Sequence, residues 1–353
     1  EILVADEVHN CKNYQSKRAK AVAEIADLCS NRYLLTGTPI LNNAMDLFMQ
    51  FRILDGYSGK NATFPTNFFV FRSQYFVDEN ASWSSKPGHF PKWVPRESAY
   101  AELLAKIEKK TLRITKEQCL DLPELVVQDV DVEMSNEQMR AYLEMKKEYI
   151  TWVNDELTKS PRAVVARLAI TKALRMQQIV SGFVNTENGE THRFKDVPRL
   201  DALKELLETI TIGHKVIVWC CFKENYKMIA EACKELKIKY VEIHGDISNS
   251  DKYKNMDDFN ADPSIRVLIG NQGAGGVGVN LTSASYSIYY SRNFKLGDDL
   301  QSESRNHRRG SEIHKKLTRL NLRCPGSIDE IVSEALDMKL DISEAILNFN
   351  SSK

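Results

Sequence analysis

No stretch of the 353 residues approaches the ~20 uninterrupted apolar positions that a membrane-crossing helix needs, so no such helix is expected. Paired cysteine spacings are also missing. Cys11, Cys29, Cys119, Cys220, Cys221, Cys233 and Cys324 form no Cys-x-x-Cys and no disulfide-like pattern. Free thiols in a reducing compartment are therefore expected, and a zinc site is not. An excess of charge of either sign is absent, since 48 Lys and Arg balance 48 Asp and Glu. That balance excludes a uniformly basic polyanion binder. It leaves room for a local basic stripe. Internal repeats and low-complexity tracts are lacking as well. What remains is the composition of a globular protein, 42% hydrophobic and 27% charged, with length for two domains at roughly 100–200 residues each.

The chain opens at Glu1 and runs directly into Ile2-Leu3-Val4-Ala5. A start inside a core strand is the expected mark of a cut edge, and no leader can be read from it. Ile2–Ala5 reads as a buried strand, 16–29 as an amphipathic helix and 33–35 as a second strand. Residues 44–56 read as helical, and 77–97, rich in Ser, Pro and aromatics, as a surface loop. The alternation Val126, Val127, Val130, Val132 predicts a strand over 125–133, and Ser135 with Gln138 is a capping-box pattern opening a helix. Met139, Tyr142, Leu143, Ile150 and Val153 form that helix's apolar stripe. A second helix is expected over 163–180, and the polar segment 184–197 is the best linker. Beyond Pro198, helices at 199–211, to 236 and before 265 alternate with strands at 215–221, 239–243, 265–269 and 286–290. That rhythm specifies an α/β fold whose parallel sheet is covered on both faces.

The chemistry-bearing residues cluster at the ends of these strands. Asp6 and Glu7 follow the first strand, where parallel sheets place ligand chemistry. One carboxylate there can hold Mg²⁺ through water while its neighbour polarises a water attacking a phosphate. A solvated turn is the plainer alternative. Leu34-Leu35-Thr36-Gly37-Thr38-Pro39 then places two hydroxyls on the turn after the next strand. Near the C-terminus, Gly273, Gly275, Gly276 and Gly278 crowd one short turn, where backbone amides can approach a phosphate. Arg305 and Arg308 are spaced i, i+3 on a helix expected to begin near Gly297, which would point both guanidiniums one way.

Taken together, these strings resemble the motifs of superfamily-two helicases, and within them the Swi/Snf-type DNA translocases. Asp6-Glu7-Val8-His9 resembles motif II, with Lys12-Asn13 nearby, and Thr36-Gly37-Thr38-Pro39 with Asn42-Asn43 resembles motif III. Leu112-Arg113 with Leu122-Pro123 resembles the segment before the strand closing the first lobe. Ile243-His244-Gly245 resembles motif IVa, Gln272 to Thr282 motif V, and Gln301 to Gly310 motif VI. The form Tyr289-Tyr290-Ser291-Arg292-Asn293-Phe294 is most similar to phage and bacterial members. Departures are Ser311 for the usual Gln, Arg309 for an aliphatic residue and Ser291 for a common Asp.

The resemblance implies two RecA-like lobes, the first incomplete and carrying a helical insertion. The expected division is residues 1–134 with an insertion at about 44–110, a helical protrusion and linker at 135–197, and a second lobe at 198–353. It implies ATP and Mg²⁺ as cofactors, with Asp6 on the metal and Glu7, Arg305 and Arg308 catalytic, Arg308 being the better finger. Gly276, Gly278 and Gln301 join them in holding nucleotide, Thr36, His244 and Thr282 meet nucleic acid, and His9 and Thr38 couple the two activities. Double-stranded DNA is the expected partner, in the cytoplasm of a bacterial or phage-infected cell or in a eukaryotic nucleus. The Gly-x-x-x-x-Gly-Lys-Ser/Thr loop such an ATPase needs has no match; Gly56-Tyr57-Ser58-Gly59-Lys60-Asn61 has the wrong spacing and reads as a surface turn. A weakly active or inactive fragment of a motor is expected. A non-catalytic nucleic-acid-binding or scaffold module and an RNA helicase stay open. The basic runs Lys106, Lys109, Lys110, Arg113, Lys116 and Lys315, Lys316, Arg319, Arg323 read either as solvated faces or as DNA contacts.

Overall fold

The computed structural model describes residues 1–40, 43–56, 62–81, 93–114, 116–119, 121–156, 162–186, 188–274 and 279–348, with backbone only at 116–117, 148–156, 162–169, 274 and 341–348. The chain divides into two compact units: Glu1–Arg113 with Leu336–Lys353, and Ile114–Ala335.

Unit 1 contains β1 (Ile2–Ala5), α1 (Lys17–Asp27), β2 (Asn31–Leu34), α2 (Leu47–Asp55), α3 (Phe68–Tyr75), β3 (Phe76–Asp78), β4 (Trp93–Pro95) and α4 (Glu97–Glu108). β1 and β2 pair in parallel, with Val4 opposite Tyr33. Their inward residues Leu3, Ala5 and Leu34 pack on the core, while Ile2, Val4 and Tyr33 face outward and are exposed. Ser16 caps α1 by accepting the Ala19 N–H at 3.1 Å, and Ala19, Ala23 and Ala26 form its buried face. An aromatic cluster of Phe48, Phe64, Phe71, Tyr75 and Phe76 fills the rest of this core. The segment expected to be a loop at 77–97 contributes the antiparallel β3–β4 pair, and Gly56–Asn61 lies outside the described residues apart from Gly56, which ends α2 at φ +70°.

Unit 2 contains α5 (Lys116–Cys119), β5 (Glu124–Asp131), α6 (Asn136–Glu156), α7 (Arg162–Val180), β6 (Phe183–Asn185), β7 (Thr191–Arg193), α8 (Pro198–Ile210), β8 (Val216–Trp219), α9 (Lys223–Glu235), β9 (Lys239–Ile243), α10 (Asn249–Ala261), β10 (Ile265–Gly270), β11 (Tyr286–Tyr289), α11 (Leu296–Glu303) and β12 (Lys316–Arg323). The last helix, α12 (Ile328–Asn348), starts in this unit. Six strands form one wholly parallel sheet in the order β5-β12-β11-β8-β10-β9. β8 is buried at all four residues: Val216 and Val218 pack with Leu203 and Leu207 of α8 and Ile229 of α9, and Ile217 and Trp219 with Phe259 of α10. Helices on both faces are what allow an uninterrupted apolar run. Gly270 admits the Trp219 ring, because a Cβ at that position would lie 2.6 Å from it.

Three expectations are corrected here. The strand over 124–131 does not close the first unit but pairs with β12, so the division falls after Arg113 and not after residue 134. The 184–197 segment is no open linker: β6 and β7 make a hairpin within unit 2. The run ending in Arg319 and Arg323 is a central strand. Arg319 is buried, with its guanidinium on Asp299 and Glu303 and stacked 3.9 Å over Tyr289, while Arg323 pairs with Asp129 and Asp131. The Ser135–Gln138 capping box forms in both directions, at 3.1 and 3.3 Å. Of the stripe expected on α6, Tyr142 is buried and Leu143 exposed; the side chains of Ile150 and Val153 lie outside the described residues.

Candidate nucleotide and nucleic-acid site

In unit 1, β1 and β2 deliver two adjacent loops. The Leu35 N–H donates to Ala5 O at 2.8 Å and the Val8 N–H to Leu35 O at 3.1 Å, locking the Asp6–His9 turn onto the start of the Thr36–Pro39 turn. Asp6 Oδ1 accepts the Glu7 N–H at 2.8 Å. Glu7 sits at φ 50°, ψ 45°, a left-handed conformation uncommon for a residue with a Cβ and typical of functional sites. Its Oε2 lies 3.2 Å from His9 Nδ1, and the same nitrogen lies 3.0 Å from Thr36 Oγ1. Thr36 Oγ1 also accepts the Thr38 N–H at 3.2 Å. Burial pushes the His9 imidazole below its ordinary value and outweighs the opposing pull of Glu7.

The donor chemistry fits a phosphate-bound Mg²⁺. Asp6 and Glu7 are exposed hard-oxygen donors. Among the described residues no cluster of three His, Cys, Asp or Glu could hold a metal alone. Mg²⁺ keeps several waters and takes one or two carboxylates beside substrate phosphates, so a lone carboxylate is the share expected of the protein.

In unit 2 the site residues follow the carboxyl ends of the central strands. Gln272, buried after β10, donates to Asp299 Oδ1 at 3.3 Å, and the Gly273 N–H donates to Asn271 Oδ1 at 2.8 Å. Gly275, Gly276 and Gly278 lie outside the described residues, as does Asn42 of unit 1. The chain re-emerges at Val279 and turns through Thr282, with the Leu281 N–H on Arg305 O at 2.9 Å. α11 carries Gln301 but ends at Glu303. Arg305 and Arg308 therefore lie on the turn that follows, not on one helical face, and Arg305 is only 7% exposed while Arg308 is half-buried. At this helix end Ser302 and Ser304 turn their hydroxyls back onto Asp299 O and Gln301 O, at 2.8 Å each.

His244 follows β9 with little exposure. Its Nε2 lies 2.7 Å from Glu242 Oε2, its Nδ1 accepts the Asp246 N–H at 3.4 Å, and its ring stacks on Tyr226 at 4.3 Å. Tyr226 in turn accepts from Asn271 Nδ2 at 2.6 Å, so His244 reaches the glycine-rich turn through two neighbours. Sequence reasoning missed the Asp299–Arg292–Arg319 network beneath Gln272, whose only signal is a polar residue recurring inside a strand-length run. It missed His314 altogether.

These features define a class: one parallel α/β unit with motif-bearing loops at its strand ends, and a second unit bearing a carboxylate pair. Residues 1–181 match the SNF2-related domain and residues 198–310 the helicase conserved C-terminal domain. The chain belongs to the SNF2-related family. The TATA-binding protein-associated factor MOT1 of Saccharomyces cerevisiae is 26% identical over 398 residues, covering 99% of this chain and 20% of that protein. The ISWI chromatin-remodeling complex ATPase ISW1 of the same yeast is 24% identical, covering 99% of this chain and 30% of its own length. The chain thus spans about a fifth to a third of these relatives. The Sulfolobus solfataricus SWI2/SNF2 ATPase core in complex with dsDNA aligns at a TM-score of 0.52 and 23% identity, covering 99% of this chain and 69% of that one. That likeness establishes the two RecA-like lobes as the fold. The curated relatives named are eukaryotic and lend no support to a particular closeness to phage and bacterial members.

Proposed function

We propose that this chain is the greater part of an ATP-driven motor that moves along double-stranded DNA. The observation that carries the reading is the strained Glu7 at the end of β1, tied through His9 to Thr36. Support also comes from an ATPase among the relatives and from a fold-mate solved with dsDNA. The Asp6 carboxylate would hold Mg²⁺, and Glu7 would act as the general base for the water that attacks the phosphate. Bound ATP–Mg²⁺ supplies the phosphoryl electrophile and the cationic charge. Arg308 is the residue that would offer a guanidinium to charge developing on the phosphate, and the more buried Arg305 anchors its turn. Glycines 276 and 278 and Gln301 serve the nucleotide. His9 and Thr38 meet at Thr36, which joins Thr282 in contacting nucleic-acid phosphates without reading bases. His244 serves that track indirectly through Tyr226 and Asn271. The kinship with eukaryotic chromatin and transcription factors favours the nucleus as the place of action.

The test is Arg308→Ala in a polypeptide that includes a phosphate-binding loop. DNA-stimulated hydrolysis falls by roughly 10³-fold or more while duplex binding is largely spared; wild-type turnover in that variant rejects the assignment. Because the 353 residues contain no phosphate-loop string, a nucleic-acid-binding module without hydrolysis is the second reading. Duplex DNA, single-stranded DNA and RNA compared as stimulators separate the DNA motor from an RNA helicase.

A further inference from the structure

Thr282 and Arg308 lie on different turns of unit 2, and a short run of hydrogen bonds joins them through one histidine. His314 Nε2 lies 2.8 Å from the Thr282 carbonyl oxygen. A carbonyl only accepts, so that nitrogen carries a proton and donates. The His314 backbone N–H donates to Ser311 O at 3.0 Å, and the Ser311 N–H donates to Arg308 O at 3.0 Å. The turn also packs on the threonine directly. Gly310 stands at φ +102°, and a Cβ added there would sit 3.4 Å from Thr282 Oγ1. Ser311 is buried and His314 half-buried, whereas Glu312, Ile313 and Lys315 are exposed, so the inward residues of this segment are the ones that make the chain of contacts.

We propose that His314 is a positioning residue that couples nucleic acid held at Thr282 to the arginine-bearing turn at 308–314. The proposal rests on the reading of Thr282 as a phosphate contact. A phosphate oxygen that takes the Thr282 hydroxyl proton fixes that residue's backbone, and His314 carries the constraint into the turn that ends at Arg308. Without the imidazole the two turns keep their packing at Gly310, the backbone bond between Leu281 and Arg305 and the Asn306 side-chain bond to Ala284 O, none of which runs through the 311–314 segment.

Hydrogen–deuterium exchange on the 353-residue chain, with and without a random-sequence duplex DNA, tests it. In the wild type, DNA slows exchange at 281–282 and also at 308–314. His314→Ala keeps the slowing at 281–282 and loses it at 308–314. His314→Gln, whose amide N–H can reach the same carbonyl, restores it. A merely structural role would raise exchange in the turn whether or not DNA is present and would not break its transmission. Should His314→Ala unfold early, His314→Gln against His314→Met, similar in size but without a donor, makes the same comparison. Transmission to 308–314 in a variant without the donor overturns the proposal. Absence of slowing at 281–282 in the wild type overturns the phosphate-contact reading instead, and the proposal with it.

Discussion

The two sheets of this chain obey the same pairing rule and end in opposite conditions. In unit 2, six parallel strands carry helices on both faces, and the central β8 is wholly buried. In unit 1, β1 and β2 are parallel too, yet one face is bare, with Ile2 66%, Val4 59% and Tyr33 58% exposed. Parallel strands are rarely left with an open face, because their backbone and side chains offer little to water. The difference teaches where each unit's stability resides. Unit 2 rests on a sheet covered on both faces and braced by a buried ion network. Unit 1 rests on the helical and aromatic packing around Phe48, Phe64, Phe71 and Tyr75, with the β1–β2 pair at its margin.

The sharpest way to break that contrast is Arg319→Ala. Asp299 is held below the ordinary carboxylate value of 3.8: burial opposes its charge, and Arg319 and Arg292 more than offset it. Removing Arg319 leaves buried Asp299 with only Arg292 and Gln272 among its shown partners and takes from Glu303 its 2.8 Å bond to that arginine, at an expected cost of about 3–5 kcal/mol in the denaturant unfolding of unit 2. Unfolding of unit 1, followed separately by hydrogen exchange over residues 1–113, should not move. The pH dependence follows from the same shift. A depressed carboxylate stabilises the fold above its unfolded value near 3.8 and loses that contribution as pH falls through the lower folded value. The wild-type advantage over Arg319→Ala in chemical denaturation should therefore hold at neutral pH and shrink only in acid below about 3.8. Ser135→Ala removes one side of the capping box and should cost about 1 kcal/mol, read in the same titration. The smallest effect is expected on the open face: Val4→Thr should shift stability by no more than roughly 0.5 kcal/mol, since that side chain buries little. A loss of several kcal/mol there would mean that the face is covered in solution.

The same contrast explains what could be read from the sequence. β1 and β9 were legible to the residue, because short apolar runs flanked by polar turns have one reading. β12 was not. Lys316, Arg319, Asn321 and Arg323 interrupt its leucines, and their meaning depends on Asp299, Glu303, Asp129 and Asp131, which only the folded sheet brings alongside. β5 was legible as a strand but not as the neighbour of a strand 192 residues later, since local pattern carries no partner. At the site, Asp6, Glu7, His9 and Thr36 announce themselves by their place after strands, and the structure brings Glu7, His9 and Thr36 together. The i, i+3 spacing of Arg305 and Arg308 misled because α11 ends at Glu303, before either arginine. His314 sends no signal, being a lone histidine whose partner is a backbone carbonyl.

The central claim is that Glu7 and its carboxylate neighbour drive hydrolysis under the control of DNA. ATP turnover by a polypeptide that includes a phosphate-binding loop, with and without duplex DNA, measured for wild type beside Glu7→Gln, tests it most directly. The account predicts strong stimulation by duplex in the wild type and its loss in Glu7→Gln, with DNA binding retained. Equal, DNA-stimulated turnover in both proteins would contradict it.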